Sequence, residues 1–286
     1  PLWEGENVDI NWDLGWGYNK STTLQVDEVT RAVTISSPSA TGNLDRSFIS
    51  LPLAGASVKA VNELYNPNDA NQNESLTSAF IEGLESIPLL ASVPILSDVA
   101  QFIPRPNWRI SWSGLEKLPM IGSLFQRASL THAYTSKYTE GWKINADGNE
   151  ETQMQKISYG FAPLVGLNLT LAELWGGNII GNIKYNTKTD YTLGISTKAM
   201  TESFSNDINI SLSFAKSGFE LPLFGLSLKN DIEVSMAYTQ GKNSVLIYSM
   251  GEEFKEGGTP QDGTNRITIE PRIKYVMSSR VTLSLF

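Results

Sequence analysis

The chain has 286 residues and carries 22 Lys and Arg against 30 Asp and Glu, which gives a formal net charge of −8 at pH 7. This balance leaves no basic surface to neutralise a phosphate backbone, so a nucleic-acid partner is not expected. There are no cysteines, and disulfides, thiolate metal sites and cysteine nucleophiles are excluded with them.

Apolar and polar residues alternate at the start of the chain. From Val8 to Lys20 the apolar positions are Ile10, Trp12, Leu14, Trp16 and Tyr18, and they alternate with Asp9, Asn11, Asp13, Gly15 and Gly17. A period of two predicts a β-strand with one apolar and one polar face. A second strand is predicted at 29–36, so residues 1–46 are interpreted as a first group of barrel strands.

Residues 47–106 show little alternation and are interpreted as an insertion of helix and loop into the sheet. Residues 75–84, which begin with the candidate cap Ser75, predict an amphipathic helix, and four prolines interrupt the residues after it. We expect this insertion to lie against the lumen or the rim of the sheet. Three apolar side chains of the helix are candidates for a gate or a docking element, namely Phe80, Ile81 and Leu84.

Alternation resumes at residue 107 and continues to residue 286. The clearest runs are 206–214, with Ile208, Ile210, Leu212 and Phe214, and 226–238, with Leu226, Leu228, Ile232, Val234 and Met236. Further strands are predicted at 107–115, 128–142, 154–161, 165–173, 179–187, 189–197, 243–249, 265–277 and 280–286. Turns are predicted at 186–189 and in a longer loop at 257–263. We therefore expect roughly a dozen strands in meander order.

This pattern fits two kinds of β protein, because a soluble sandwich or barrel with one buried face produces the same alternation. Three features favour a membrane barrel: the strands exceed the usual ~5–6 residues, they are numerous, and aromatic residues cluster near their ends. No apolar run reaches the ~18 residues of a membrane-spanning helix, so any spanning role falls to strands. The predicted fold is all-β, an antiparallel transmembrane β-barrel wall with a partly helical insertion.

In such a barrel the apolar side chains meet lipid, while the polar face lines a wet lumen. The candidate lipid-facing or interfacial residues are Trp12, Trp16, Trp108, Trp112, Tyr134, Ile210, Leu228 and Val234. In a soluble sandwich the same side chains would interdigitate with a second sheet. The burial of Trp12, Ile210, Leu228 and Val234 therefore separates the two interpretations.

No residue pattern predicts an enzyme. His132 is the only histidine, and the position two residues on, where a serine would share its strand face, is Tyr134. The adjacent acids 150–151 and 252–253 are interpreted as solvated pairs, since a glycosidase needs two carboxylates that converge across a cleft. Residues 147–150 lack the ligand spacing of a calcium loop. No catalytic, cofactor-binding or metal site is therefore predicted.

Two neighbouring segments carry a more specific pattern. Residues 104–118 read Pro-Arg-Pro-Asn-Trp-Arg-Ile-Ser-Trp-Ser-Gly-Leu-Glu-Lys-Leu, and residues 128–138 read Ala-Ser-Leu-Thr-His-Ala-Tyr-Thr-Ser-Lys-Tyr. These two strands and the Gly-Leu step between them closely resemble the SprA family, the outer-membrane translocon of the type IX secretion system. Ala133 departs from the glycine often found after the histidine, and Trp112 departs from the more usual tyrosine. The resemblance extends to residue 286 and is looser before residue 104.

The resemblance implies a very large barrel in the bacterial outer membrane, whose lumen passes folded cargo proteins that bear a C-terminal secretion signal. It also implies two partners, a plug protein and a smaller outer-membrane barrel. This chain would be a fragment of that barrel, since it starts without Met and ends inside an alternating run. The alternatives are a generic outer-membrane porin or transporter and a soluble β-rich surface binding module.

Overall fold

A computed structural model describes residues 6–22, 24–35, 40–49, 57–85, 104–145, 148–171, 173, 175–223, 226–278 and 281–285. The strands are β1 (Asn7–Asp13), β2 (Trp16–Ser21), β3 (Leu24–Val26), β4 (Val33–Ile35), β5 (Thr41–Arg46), β6 (Asn107–Ser113), β7 (Phe125–Ile144), β8 (Glu150–Leu171), β9 (Asn178–Gly194), β10 (Ala199–Leu223), β11 (Leu226–Ser249), β12 (Thr259–Ser278) and β13 (Val281–Leu285). The helices are α1 (Val58–Leu64), α2 (Gln72–Leu84) and the short α3 (Pro119–Gly122).

Eleven of these strands form one antiparallel sheet, and β3 and β4 form a separate hairpin. From β6 to β13 each strand pairs with the next one in the chain, which is the meander that the sequence predicts. β1 and β2 lie at one edge and β13 at the other, and within the described ranges the two edges do not pair with each other. The prediction of a mostly β, antiparallel fold is therefore confirmed, as an open sheet.

Several segments predicted as separate strands are one long strand. β8 joins 154–161 to most of 165–173, β9 joins 179–187 to most of 189–197, and β11 joins 226–238 to 243–249. The turn predicted at 186–189 is wrong, because β9 runs through it and pairs with β8 and β10 on its two sides. Asn186 and Lys188 there point to one side of the sheet, and Thr187 and Thr189 point to the other. β12 likewise begins inside the loop predicted at 257–263.

β5 and β6 occupy one strand position, which residues 47–106 interrupt. β5 lies between β2 and the C-terminal half of β7, with Arg46 opposite Tyr138, and β6 lies between β1 and the N-terminal half, with Trp108 opposite Tyr134. Both strands run in the same direction along β7. The insertion therefore leaves the sheet and returns to it in the middle of a single strand.

Hydrogen bonds close the sheet where the insertion leaves it. The N–H of Ser47 donates to the carbonyl of Gly15, 2.8 Å away, and the N–H of Gly15 donates to Oγ of Ser47. On the other side, the N–H of Ser136 on β7 donates to Oδ1 of Asn107 at 2.8 Å. Oγ of Ser136 accepts the N–H of Phe48 at 3.1 Å. Side chains thus replace the ladder bonds that an uninterrupted strand would make.

Two buried cations lie beside this gap. The guanidinium of Arg46 lies 4.9 Å from the ring of Phe48 and 4.6 Å from that of Tyr138, and its side chain is fully buried. Arg105 stacks on the same phenylalanine ring, 5.6 Å away, and forms an ion pair with Glu85. Cation–π contacts of this kind strengthen when water is excluded, so the cluster fixes the end of the insertion to the sheet.

The turn between β6 and β7 is held by a glycine and a carboxylate. Gly114 has a φ of 84°, a left-handed conformation that side chains disfavour. The carboxylate of Glu116 accepts the N–H of Ala128 at 3.0 Å, and this bond lowers the pKa of the carboxyl group. The turn therefore sets the register in which β7 starts.

The substitution Asn107→Ala tests the closure of the interrupted strand. It removes the acceptor of the buried Ser136 N–H, and an unpaired buried donor costs about 1–3 kcal/mol. We expect faster deuterium uptake in the peptide that contains Ser136, measured by mass spectrometry. Asn11→Ala, at an exposed position on β1, should leave uptake there unchanged. Equal uptake in the wild type and in Asn107→Ala would contradict this role of the asparagine.

Candidate functional site

The register of the sheet assigns every side chain to one of two faces. Residues opposite each other in adjacent strands point to the same side, and successive residues along a strand point to opposite sides. Following the pairs from strand to strand therefore traces rows of side chains across the sheet. We call the two sides the apolar face and the polar face, according to the rows described next.

One row of the apolar face crosses eight strands, from β1 through β6–β12, and every member is apolar or aromatic. Its members are Val8, Trp112, Leu130, Leu167, Ile183, Ile210, Tyr238 and Ile269. Adjoining rows of the same face add Ile10, Ile110, Leu169, Ile208, Leu212, Phe214, Val234, Met236, Ile267 and Ile273. We call these side chains together the apolar belt.

The apolar belt is exposed over much of its extent. Ile10 retains 65% of its accessible surface, Ile269 61% and Ile210 39%. The other sheet in the described ranges, β3–β4, has two strands of three residues and is too small to cover it. A soluble sandwich would bury such residues between two sheets. An exposed apolar surface that crosses eight strands marks a site of contact with another protein or with a membrane.

The polar face is the reverse side of the same strands. The row next to the central apolar row contains Asp9, Ser111, Thr131, Gly166, Lys184, Asn209, Thr239 and Thr268. The row on its other side contains Asn7, Ser113, Ser129, Asn168, Asn182, Ser211, Ala237 and Glu270. The sheet thus presents an apolar surface on one side and a hydrophilic surface on the other.

Hydrogen bonds between side chains run across the polar face. Nδ2 of Asn186 and Nδ2 of Asn209 both donate to the Asp207 carboxylate, at 2.6 and 2.8 Å. Oδ1 of Asn209 in turn accepts the hydroxyl of Thr239 on β11, at 3.2 Å. Side chains of three adjacent strands are therefore linked on the face that carries the polar rows.

A bulge in β8 deforms the sheet near its centre. Three residues of β8, Ala162 to Leu164, stand opposite the single β9 residue Asn186. Pro163 has no N–H to donate to a neighbouring strand, which favours a bulge at this point. Nδ1 of His132 donates to the Leu164 carbonyl at 2.7 Å, so the only histidine satisfies an acceptor that the bulge leaves outside the ladder.

Beyond the apolar belt, toward the turn at 195–198, α1 and α2 cover the apolar face. The sheet contributes Tyr138, Ile157, Tyr191, Leu193, Met200 and Tyr248 to this core, and the helices contribute Val58, Val61, Leu76, Phe80 and Leu84. Nε2 of Gln155 donates to the Thr77 carbonyl at 3.3 Å, and the N–H of Gly251 donates to Oδ1 of Asn62 at 2.8 Å. The two helices therefore lie on the same side of the sheet as the belt.

The three gate or docking candidates lie inside this core. Phe80 and Leu84 are fully buried, and Ile81 retains only 9% of its accessible surface. Their side chains hold α2 against the sheet, because the apolar side of the helix faces the apolar side of the strands. In this packing they form no exposed surface on which a partner could dock.

The lipid-facing candidates differ in their exposure. Trp12 and Trp16 are exposed, at 68% and 60%, and Val234 and Ile210 on β11 and β10 are exposed at 38% and 39%. Trp108 and Trp112 are half-buried. The side chain of Leu228 lies outside those that the structure describes.

Among the candidates whose side chains the structure describes, Tyr134 is the one that is fully buried. Its ring lies 4.4 Å from that of Trp108 and 5.1 Å from that of Phe161. The sequence predicts aromatic residues near strand ends, but Tyr134 and Phe161 lie in the middle of β7 and β8, where the three rings cover one another.

The described residues contain no group of three or more His, Asp or Glu side chains that could hold a metal ion. No helix in the described part of the chain is long and apolar enough to span a membrane. A comparison of the sequence with models of protein families, and another with curated proteins, found no match.

Two features of the sheet and its helices were not predicted from the sequence. The first is α1, whose signal is the cap Ser57, with its side chain accepting the N–H of Ala60, followed by Val58, Val61 and Tyr65 on one helical face. The second is the alignment of the rows, which depends on strand register. The alternation of each strand is visible in the sequence, but the pairing that aligns eight strands is not.

The substitution Gly83→Ala tests the packing of α1 on α2. A Cβ at residue 83 would lie 2.5 Å from the backbone nitrogen of Val61, so the two helices would have to separate. Helix propensity alone predicts the opposite, since alanine stabilises a helix by about 1 kcal/mol relative to glycine. We expect Gly83→Ala to speed proteolysis within residues 57–85, whereas Ser78→Ala, at an exposed position of α2, should not. Slower proteolysis of Gly83→Ala would contradict the close contact.

Proposed function

We propose that this chain forms part of the wall of a transmembrane β-barrel in a bacterial outer membrane. The observation that carries the proposal is the apolar belt, whose side chains lie exposed or half-buried on one side of eight paired strands while the other side is polar. Lipid is the partner that such a surface fits, because a spanning barrel presents an apolar band outward and polar residues inward. The polar face then lines a passage filled with water.

The dimensions of the belt support this assignment. On β10 the apolar positions run from Ile208 to Phe214, which is about 20 Å along a strand at ~3.4 Å per residue. Outer-membrane barrels have an apolar band about 25 Å tall with aromatic residues at its borders. One border of the belt is aromatic on β1, β6, β7 and β8, where Trp12, Trp108, Tyr134 and Phe161 form a cross-strand row.

The same row turns polar on the following strands and marks where the belt ends. On β9–β12 it continues as Thr187, Asn206, Lys242 and Asn265. A lysine that points toward lipid is costly near the middle of a bilayer and is tolerated near the interface. In the proposed orientation this row lies at the membrane interface, and α1 and α2 lie beyond it at the rim of the barrel, on its outer side.

The two open edges of the sheet are consistent with a barrel wall that contains further strands on both sides. Unpaired backbone groups cannot face hydrocarbon, so a spanning sheet has to close. In our proposal further strands pair with β1 and β2 on one side and with β13 on the other, and together they complete the barrel.

We further propose that the passage conducts proteins, as a segment of a translocon similar to the SprA family. The residues that carry this resemblance, 104–118 and 128–138, include β6, the turn after it and the middle of β7. They therefore contribute to the belt through Trp112 and Leu130, and to the polar face through Ser111 and Thr131. The cargo would be folded proteins that carry a C-terminal secretion signal, with a plug protein and a smaller barrel as partners.

Deletion of the gene, followed by complementation, tests both parts of this proposal. Without the gene we expect cargo with the C-terminal signal to accumulate in the periplasm, and the wild-type gene should restore secretion. Ile210→Lys with Leu212→Lys should not restore it, since each lysine in lipid costs about 2–4 kcal/mol near the bilayer midplane. Ser211→Lys with Ser213→Lys, on the opposite face of the same strand, should restore it. The measurement is proteomics of the culture medium.

Two results would contradict the proposal in different ways. Unchanged secretion after deletion would remove the role in protein transport. Equal secretion by both double variants, at equal protein levels in the membrane fraction, would remove the assignment of the belt to lipid.

A further inference from the structure

The polar face carries an uneven distribution of charge. On β6–β9, the described side chains of this face include seven cations, which are Arg109, Arg127, Lys137, Lys143, Lys156, Lys184 and Lys188. The same four strands place two carboxylates on this face, Glu151 and Asp190. The chain as a whole has a net charge of −8. A positive stripe therefore crosses the polar face of a protein that is acidic overall.

Two adjoining depressions lie on this stripe, where the bulge of β8 opens the sheet. One is lined by Arg109, Lys184, Asn168, Asn186, Ser111 and Thr131, with no carboxylate in its lining. The other is lined by Lys137 and Lys188, together with serine, threonine and asparagine side chains and one aspartate. Both include Ala162 and Asn186 in their lining, so they lie next to each other. We call the two depressions together the basic groove.

The cations of the basic groove differ in how they are neutralised. Lys137 forms an ion pair with Asp45 at 3.1 Å, and Lys188 forms one with Asp190 at 3.0 Å. No described carboxylate lies within ion-pair distance of the guanidinium of Arg109 or the ammonium of Lys184, and both side chains are exposed. These two are therefore the cations available to an external anion.

We propose that the basic groove binds an acidic polypeptide segment. Arg109 and Lys184 would hold carboxylates of that segment, and the amides of Asn168 and Asn186 and the hydroxyl of Ser111 would donate further hydrogen bonds. This inference rests on the proposed function, in which polypeptide passes along the polar face. It adds that an acidic stretch of the cargo is held near the bulge of β8.

The form of the groove favours a polymer of carboxylates over a single small anion. The two cations without an ion pair, Arg109 and Lys184, line the same depression, and a chain with several carboxylates can contact both together, which raises its affinity by multivalency. Lipid phosphate is not the expected ligand, because the groove lies on the face opposite the apolar belt. The net charge of the chain repels polyanions, so binding would require a local site.

The test is a binding measurement on the full chain in detergent micelles. The probe is a fluorescein-labelled peptide of about ten glutamates, with a peptide of equal length made of glutamine as its neutral counterpart, followed by fluorescence anisotropy. We expect the glutamate peptide to bind at low salt and to weaken as ionic strength rises, since ions screen contacts between exposed charges. The glutamine peptide should not bind.

Paired variants locate the site. Arg109→Gln with Lys184→Gln should weaken binding of the glutamate peptide at least tenfold. Arg266→Gln with Lys274→Gln is the matched control, because it removes the same two charges from the polar face of β12, and it should change binding less than twofold. Arg109→Lys with Lys184→Arg keeps both charges and should retain binding, which excludes loss of folding as the cause.

Three results would overturn the proposal. They are the absence of binding by the wild type, an equal loss in the two glutamine double variants, and displacement of the peptide by inorganic phosphate at equal total charge. The last result would indicate a simple anion site. None of these three results contradicts the proposed function if the secretion experiment succeeds. If the secretion experiment fails while the glutamate peptide still binds, the role in protein transport is contradicted but the peptide site is not.

Discussion

The structure depends on one constraint, the register that keeps apolar residues opposite apolar residues across eight strands. A shift of one residue in any pair would move the apolar side chains of that strand to the polar face. From Val8 on β1 to Ile269 on β12 no such shift separates the members of the central row. Even the bulge of β8 is compensated, because Leu167 after it still faces Leu130 and Ile183.

The interrupted strand follows from the same constraint. An excursion between β5 and β6 can be accommodated because hydrogen bonds of Ser47 and Asn107 close the gap while β7 passes it without interruption. The excursion returns its helices to the apolar face, where they bury the part of that face beyond the belt. Along the strands, the apolar face is therefore covered by α1 and α2 toward the turn at 195–198 and uncovered at the apolar belt. In the proposed barrel this division corresponds to rim and membrane.

Sequence alternation predicts most strands of the large sheet, because each strand has one apolar and one polar face along its own length. It fails at 29–36, where residues 28–30 form a turn and the strand is only Val33–Ile35. The turn predicted at 186–189 is wrong because Asn186 and Lys188 have the composition of a turn but occupy polar positions of β9. The helix predicted at 75–84 begins earlier, at Gln72, and its N-cap is Asn71 and not Ser75. The positive stripe could not be predicted, since its cations come from four strands and meet only through pairing. The burial of Tyr134 likewise depends on neighbours distant in sequence.

A spin-label scan along β10 shows whether the apolar belt faces lipid. The chain has no native cysteine, so single cysteines at residues 205–215 can be labelled one by one in lipid vesicles. We expect accessibility to oxygen, which concentrates in lipid, to peak at 208, 210, 212 and 214, and accessibility to a water-soluble nickel complex to peak at the residues between them. If the two reagents rise and fall together, or if neither alternates, the belt does not face lipid.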